Sequence, residues 1–446
     1  MHLNFLKTPA IEVQNKITLW LNHMLVVYAF LIPINNNAKS SLFFTMLLLF
    51  LYRRNFVYYL KDAFQNKIVQ AFLLFYLIGV IGMFYTENME MAKSHMDYAK
   101  YLLFPLFFLS FLDKRFAFRV IGGFVLGMFF TELISYLINF RIFPPVFYIG
   151  EYEIWKTSLA SPAPFFNHIK HNYGLALVIA FLLYQYLNKK SLPLRVKLFS
   201  IIFMTTATIN MSFVAGRTGY VIFLILIFLV FLLSYPKKIL KALAVSSILI
   251  AVLVYFGYNH SSTIKHRVDQ TISSYNKIVH EDDYKSSIGY RLGFAKYSLE
   301  VIKENPLFGV GTGDFMDEVR IVIPNKHSYL ADEDRLARPH NNHIQVLLQF
   351  GLIGYFAMLY VFYQIYMYKK DDKYNHNLLI IVSTSILLYM MTDHFFATFS
   401  LPLFATLVSA LITNEQRDIT YTKITPKILL SYFGIVILFL IIGITR

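Results

Sequence analysis

The chain has no cysteine among its 446 residues. Disulfide frameworks, thiolate metal sites and cysteine nucleophiles are thereby all removed from consideration. Charge is scarce too: 15% of residues are Asp, Glu, Lys or Arg, against 57% hydrophobic and 17% aromatic. A soluble fold could not hide that much apolar surface from water. Acidic residues are the scarcer charge, 26 against 41 Lys and Arg, giving a formal net charge of +15. The basic residues are spread over many loops and form no nucleic-acid-binding module, so no nucleic acid is expected as a partner. Membrane lipids are expected instead, through topology and anionic headgroups.

What the sequence does have is a series of apolar runs. They fall near 17–34, 41–52, 68–85, 98–112, 120–140, 172–187, 198–213, 220–235, 239–258, 342–366, 378–391, 401–413 and 428–445. The expected fold class is all-α and integral to a membrane, with about 12–13 transmembrane helices. The first run continues into Ile32-Pro33-Ile34-Asn35 without a small-residue cleavage pattern, so it is expected to be a retained span. Three segments follow: about nine membrane helices over 1–258, a large loop over 259–341, and C-terminal membrane helices over 342–446.

Basic residues collect in alternate loops: Arg53, Arg54, Lys61 and Lys67, then Lys114, Arg115 and Arg119, then Lys189, Lys190, Arg195 and Lys197. Lys237, Lys238 and Lys241, and Lys369, Lys370 and Lys373, continue the series. Lys and Arg near span ends favour the cytoplasmic side. This puts the N-terminus inside and the 259–341 loop outside.

That loop has soluble composition, and its best-defined element is predicted from Ser286 or Ser287 to Glu304, stopped by Asn305-Pro306. Ile288, Leu292, Ala295, Leu299 and Ile302 form one stripe; Gly289, Gly293, Lys296, Glu300 and Lys303 form the polar one. An amphipathic helix lying on the membrane domain by its apolar stripe is expected. Arg291 falls at the Ile288/Ala295 edge, where an arginine either snorkels to headgroups or binds an anion. The glycines of Gly309-Val-Gly-Thr-Gly313 read as turn formers, since no Gly-Lys-Ser/Thr ending of a phosphate loop follows.

Chemistry concentrates at His340-Asn341-Asn342-His343, at the head of the next apolar run. Asn341 or Asn342 can cap that helix, and a histidine there is suited to general base work or is simply an interfacial residue. A metal on His340 and His343 would need further ligands that the sequence does not place nearby, so no metal or other cofactor is expected. Arg217 is the only charge in the turn Phe213-Val-Ala-Gly216-Arg217-Thr218-Gly219. Guanidinium groups bind phosphate bidentately, so Arg217 and Arg291 are a candidate diphosphate clamp. Asp393, in Thr392-Asp393-His394, can orient a histidine, pair with an arginine or stay solvated.

His340-Asn341, nine residues, then Gly351-Leu-Ile-Gly354 resembles the histidine motif of the O-antigen ligases of Gram-negative envelopes. Asn305-Pro-Leu-Phe-Gly-Val-Gly311 is similar to the phrase that precedes it in the wider ligase and polymerase superfamily. The resemblance covers about 200–400 well and the earlier part only by its run of spans. It implies an enzyme, a membrane glycosyltransferase of lipopolysaccharide biosynthesis in the bacterial inner membrane, with its active site on the periplasmic face. The implied donor is a glycan on undecaprenyl diphosphate and the implied acceptor a sugar hydroxyl of the lipid A-core. Arg217, Arg291, His340 and Asp393 occupy the family's catalytic places. An O-antigen polymerase or a protein O-oligosaccharyltransferase would use the same donor. A transporter or flippase agrees with the span count, but intramembrane charges are few, Glu132 being the clearest. A structural scaffold would leave Arg217, Arg291 and His340 unexplained.

Overall fold

The computed structural model describes residues 8–331, 340–370 and 372–445. It is 75% helical with almost no sheet, an all-α integral membrane protein. The helices are α1 (Ile11–Leu31), α2 (Asn36–Arg53), α3 (Phe56–Phe64), α4 (Lys67–Gly82), α5 (Met89–Ala99), α6 (Phe104–Leu109) and α7 (Ala117–Asn139). After a hairpin, β1 (Val146–Ile149) and β2 (Tyr152–Lys156), come α8 (His168–Asn188), α9 (Leu194–Phe213), α10 (Arg217–Ser234) and α11 (Ile239–His260). The loop segment contributes α12 (Ser262–Glu281), α13 (Ser287–Glu304) and α14 (Phe315–Val322). The last four are α15 (Asn342–Tyr366), α16 (Lys373–Met390), α17 (Ser400–Ile412) and α18 (Pro426–Ile444).

Among the described residues seven helices are long and apolar enough to cross a membrane: α4, α7, α9, α10, α11, α15 and α18, two of them with short extensions. α1, α2, α8 and α16 have the length, 21, 18, 21 and 18 residues, but carry more polar side chains. α8 packs against α10 and α1 against α7, and some of these polar side chains find partners on other segments. Asn22 of α1, fully buried, donates to Thr18 O and Phe111 O at 2.8 and 2.9 Å.

α15 is broken at Gly351, where φ is 57° and ψ −157°, a conformation that glycine alone adopts cheaply. The break disrupts the helical ladder around it, and backbone at membrane depth must be satisfied within the protein. Val310 N and Gly311 N donate to Leu348 O and Gln349 O at 2.8 and 3.0 Å. Leu352 N and Ile353 N donate to Pro306 O and Leu307 O at 2.9 and 3.2 Å. The Asn305–Gly311 phrase and the glycine of the histidine motif are thus two halves of one interlocked unit.

α13, α14 and the segments beside them share a second core of Tyr284, Phe294, Tyr297, Val301, Phe315, Val319 and Leu330, closed by Leu348 of α15, with Ile278 of α12 packed against it. Ser286 caps α13, accepting from Gly289 N at 3.0 Å. Its buried face differs from the expected one. Leu292 and Leu299 are 46% and 49% exposed, while Gly289, Gly293, Phe294, Tyr297 and Val301 are buried. The backbone of Tyr284 and the side chain of Leu330 fill the space a Cβ would need at Gly289 and Gly293. Periodicity weighs side-chain hydrophobicity, so it gives no weight to a face made of glycines.

Candidate functional site

The segments 167–172, 214–217, 267–271, 340–342 and 393–395 come from distant parts of the chain and meet at one end of the bundle. His340 stands just before α15, with φ at 51°. Histidine tolerates this left-handed region better than most residues, at about 1 kcal/mol. Asn341 caps α15, accepting from His343 N and Ile344 N at 3.1 and 3.2 Å. Asn342, fully buried, accepts from Phe395 N at 2.5 Å and donates to Gln345 Oε1 at 2.9 Å. The loop that carries Asp393 is therefore pinned to the helix that carries His340.

His340 Nδ1 lies 3.1 Å from Asp393 Oδ1. Tyr389, fully buried, donates its hydroxyl to Asp393 Oδ2 at 2.7 Å. Burial pushes the Asp393 carboxyl up, but the hydrogen bonds from His340 and Tyr389 and the nearby His394 hold it well below the usual carboxylate range. Ionised, it can only accept, so Nδ1 carries the proton of the pair and Nε2 is the nitrogen left to face other partners. His394 covers the imidazole, the ring centroids 5.3 Å apart.

Arg217 opens α10, and its turn is locked to the first turn of α8. A Cβ on Gly216 would lie 2.5 Å from His168 O, and one on Gly219 2.3 Å from Asn172 Cβ. Asn172 donates to Val214 O at 2.8 Å. Arg217 Nη1 reaches α12, donating to Thr271 Oγ1 at 3.2 Å. Arg291 is half-buried on α13, and its Nε has no hydrogen-bond partner among the described residues. Burial lowers its pKa, and the charge of Asp393 opposes the shift. Arg217 and Arg291 are within electrostatic reach of each other. All four residues singled out in the sequence, Arg217, Arg291, His340 and Asp393, therefore lie at this one end.

His343 is engaged elsewhere. Its Nε2 faces Leu387 O and its Nδ1 faces the Tyr355 hydroxyl, both at 3.3 Å, tying α15 to α16. Glu132 is buried on α7 beside Tyr136. His168 and Arg267, neither singled out in the sequence, lie within electrostatic reach of one another and of Arg217. One signal for His168 was there to read. Asn167-His168-Ile-Lys-His171-Asn172 heads an apolar run with the same His and Asn types as 340–343. Arg267 gave none, being one cation among several on a mixed-charge helix.

Residues 199–359 match the family model for O-antigen ligase. That segment is similar to the O-antigen ligases. It runs from α9 into α15 and holds Arg217, Arg291 and His340, with Asp393 beyond its end. The O-antigen ligase family comprises membrane-embedded, glycosyltransferase-like enzymes. No curated protein matches the chain significantly.

Proposed function

We propose that the chain is an O-antigen ligase, moving a glycan from undecaprenyl diphosphate to a sugar hydroxyl of the lipid A-core at the periplasmic face of the inner membrane. The observation that carries this reading is the 3.1 Å contact of His340 with Asp393 beside Arg217 and Arg291. It sets a proton acceptor next to cations suited to a phosphate leaving group. The acceptor hydroxyl gives its proton to His340 Nε2 as its oxygen attacks the anomeric carbon of the donor. The bond from that carbon to the phosphate oxygen breaks, and its electron pair leaves on the diphosphate. Arg217 and Arg291 stabilise the charge that develops there. Asp393 keeps Nδ1 protonated and Nε2 turned to the substrate, and Tyr389 keeps Asp393 in place.

The test is incubation of the purified protein with a lipid-diphosphate-linked glycan and, separately, lipid A-core, a second lipid-linked glycan and a peptide acceptor. Transfer to lipid A-core is the expected result. Transfer only to the second glycan or only to the peptide would make the chain a polymerase or a protein transferase instead.

A further inference from the structure

Charge at this end of the bundle is not balanced among the described residues. Arg217 lies within electrostatic reach of both Arg267 and Arg291, and His168 within reach of all three. Among the described residues none of the three forms a salt bridge. Their hydrogen-bond partners are neutral: Thr271 Oγ1 for Arg217 and Gln270 Oε1, at 2.9 Å, for Arg267. Among the described residues the Asp393 carboxylate is the one acid acting on Arg291, and it is already held by His340 and Tyr389. Among the described residues, three guanidinium charges against one carboxylate leave an excess of two. Like charges kept half-buried repel, and an anion relieves that repulsion. A diphosphate diester carries two negative charges.

Local geometry brings in the third arginine independently of this electrostatic argument. Thr271, which receives Arg217, stands four residues after Arg267 on α12, so the two share a helix face. Close packing of two other helices places His168. It lies on the first turn of α8, against which the Gly216–Gly219 turn of α10 is packed too closely for any side chain. Half-buried, it lies within reach of Arg267, Asp393, Arg291 and Arg217, and among the described residues no hydrogen bond occupies its imidazole.

We infer that Arg267 and His168 complete the diphosphate site, so that three arginines and an imidazole, not a pair of arginines, bind the donor. The glycan-transfer reading supplies the identity of the donor; the anion site itself stands on the uncompensated charge.

The experiment is titration of undecaprenyl diphosphate, without glycan, into the purified protein in nanodiscs. Arg267→Gln is expected to weaken binding about tenfold and His168→Ala several-fold, while His168→Gln, which keeps an N–H donor, recovers part of that loss. Lys277→Gln, on the exposed side of the same helix, is expected to stay within about twofold. Arg267→Lys and the thermal unfolding of each variant separate lost affinity from lost fold. Wild-type affinity in both Arg267→Gln and His168→Ala would overturn the inference, as would equal weakening by Lys277→Gln or no binding by the wild type. A wild type that transfers glycan while those variants bind normally sinks this inference alone. One that binds with the expected dependences but transfers nothing to any acceptor sinks the transfer reading alone.

Discussion

At His340 the backbone, the cap and the side chain each serve a different requirement. The left-handed φ ends the incoming loop, Asn341 starts the helix, and Asp393 fixes the imidazole tautomer. If His340 is the base, His340→Ala should lower turnover about a hundredfold or more with donor binding nearly unchanged, because the proton moves only during attack. His343→Ala should keep most of its transfer, since that ring bonds to Leu387 and Tyr355. Loss in both variants with the fold intact would reassign the base. Asp393→Asn replaces an acceptor-only carboxylate with an amide that can donate, and should lower turnover about tenfold or more by unsettling the tautomer. Arg217→Lys and Arg291→Lys keep the charge but lose the planar fork, so the KM for donor should rise while the site stays cationic. The sequence offered Arg217 and Arg291 as a diphosphate clamp, His340 as a base and Asp393 as a group able to orient a histidine. It could not show how close His340 and Asp393 come, because 53 positions separate the two, and the docking of Asn342 on Phe395 N helps to bring them together.

Among the elements, α15 is the one whose local sequence and tertiary surroundings cannot be separated. Gly351→Ala would set a Cβ 2.3 Å from the Leu307 carbonyl carbon in a backbone conformation alanine resists. It should cost about 2–3 kcal/mol or more, read as a lower melting temperature and a loop more open to proteolysis. Unchanged melting would mean that the Asn305–Gly311 unit does not hold the break. The element boundaries of α13 were legible, its Ser286 cap and Asn305-Pro306 stop being local signals. Its buried face was not, since glycines pack there by what they lack. At the far end of α17, Asp113 accepts from Arg115 Nη2 and Arg417 N at 2.7 and 2.8 Å. Burial pushes that carboxyl up, but the Arg115 and Arg417 hydrogen bonds bring it below its ordinary value. A lowered native pKa stabilises the fold above the unfolded value of about 4 and loses that contribution as pH falls through the native one. Melting temperature should therefore fall below about pH 4, and less steeply in Asp113→Asn, which should itself melt a few degrees lower at neutral pH.

For the molecule as a whole, apolar runs announced a membrane protein, because a span needs about 20 residues of one character. The polar helices α1 and α8 read less plainly, since the partners of their buried Asn and His residues include groups far away in the chain, Phe111 O for Asn22 and Asn210 Oδ1 for His171. Alternation of basic loops predicts that tags within 188–197 and 367–377 report inside and tags within 259–285 outside. A cytoplasmic 259–285 would place the arginine cluster on the wrong face for a flipped lipid-linked glycan. Glu132→Gln should leave transfer largely intact, because that residue is not one of the groups gathered around His340. The central claim, that this cluster transfers a glycan off a lipid diphosphate, is tested most directly by single-turnover release of undecaprenyl diphosphate. The purified wild type and His340→Ala would each be loaded with glycan-linked donor and mixed with lipid A-core. The account predicts that the wild type releases one undecaprenyl diphosphate for each glycan joined to the core, and that His340→Ala binds donor but releases about a hundredfold more slowly. Release at the same rate in both proteins, or none in the wild type, would contradict it.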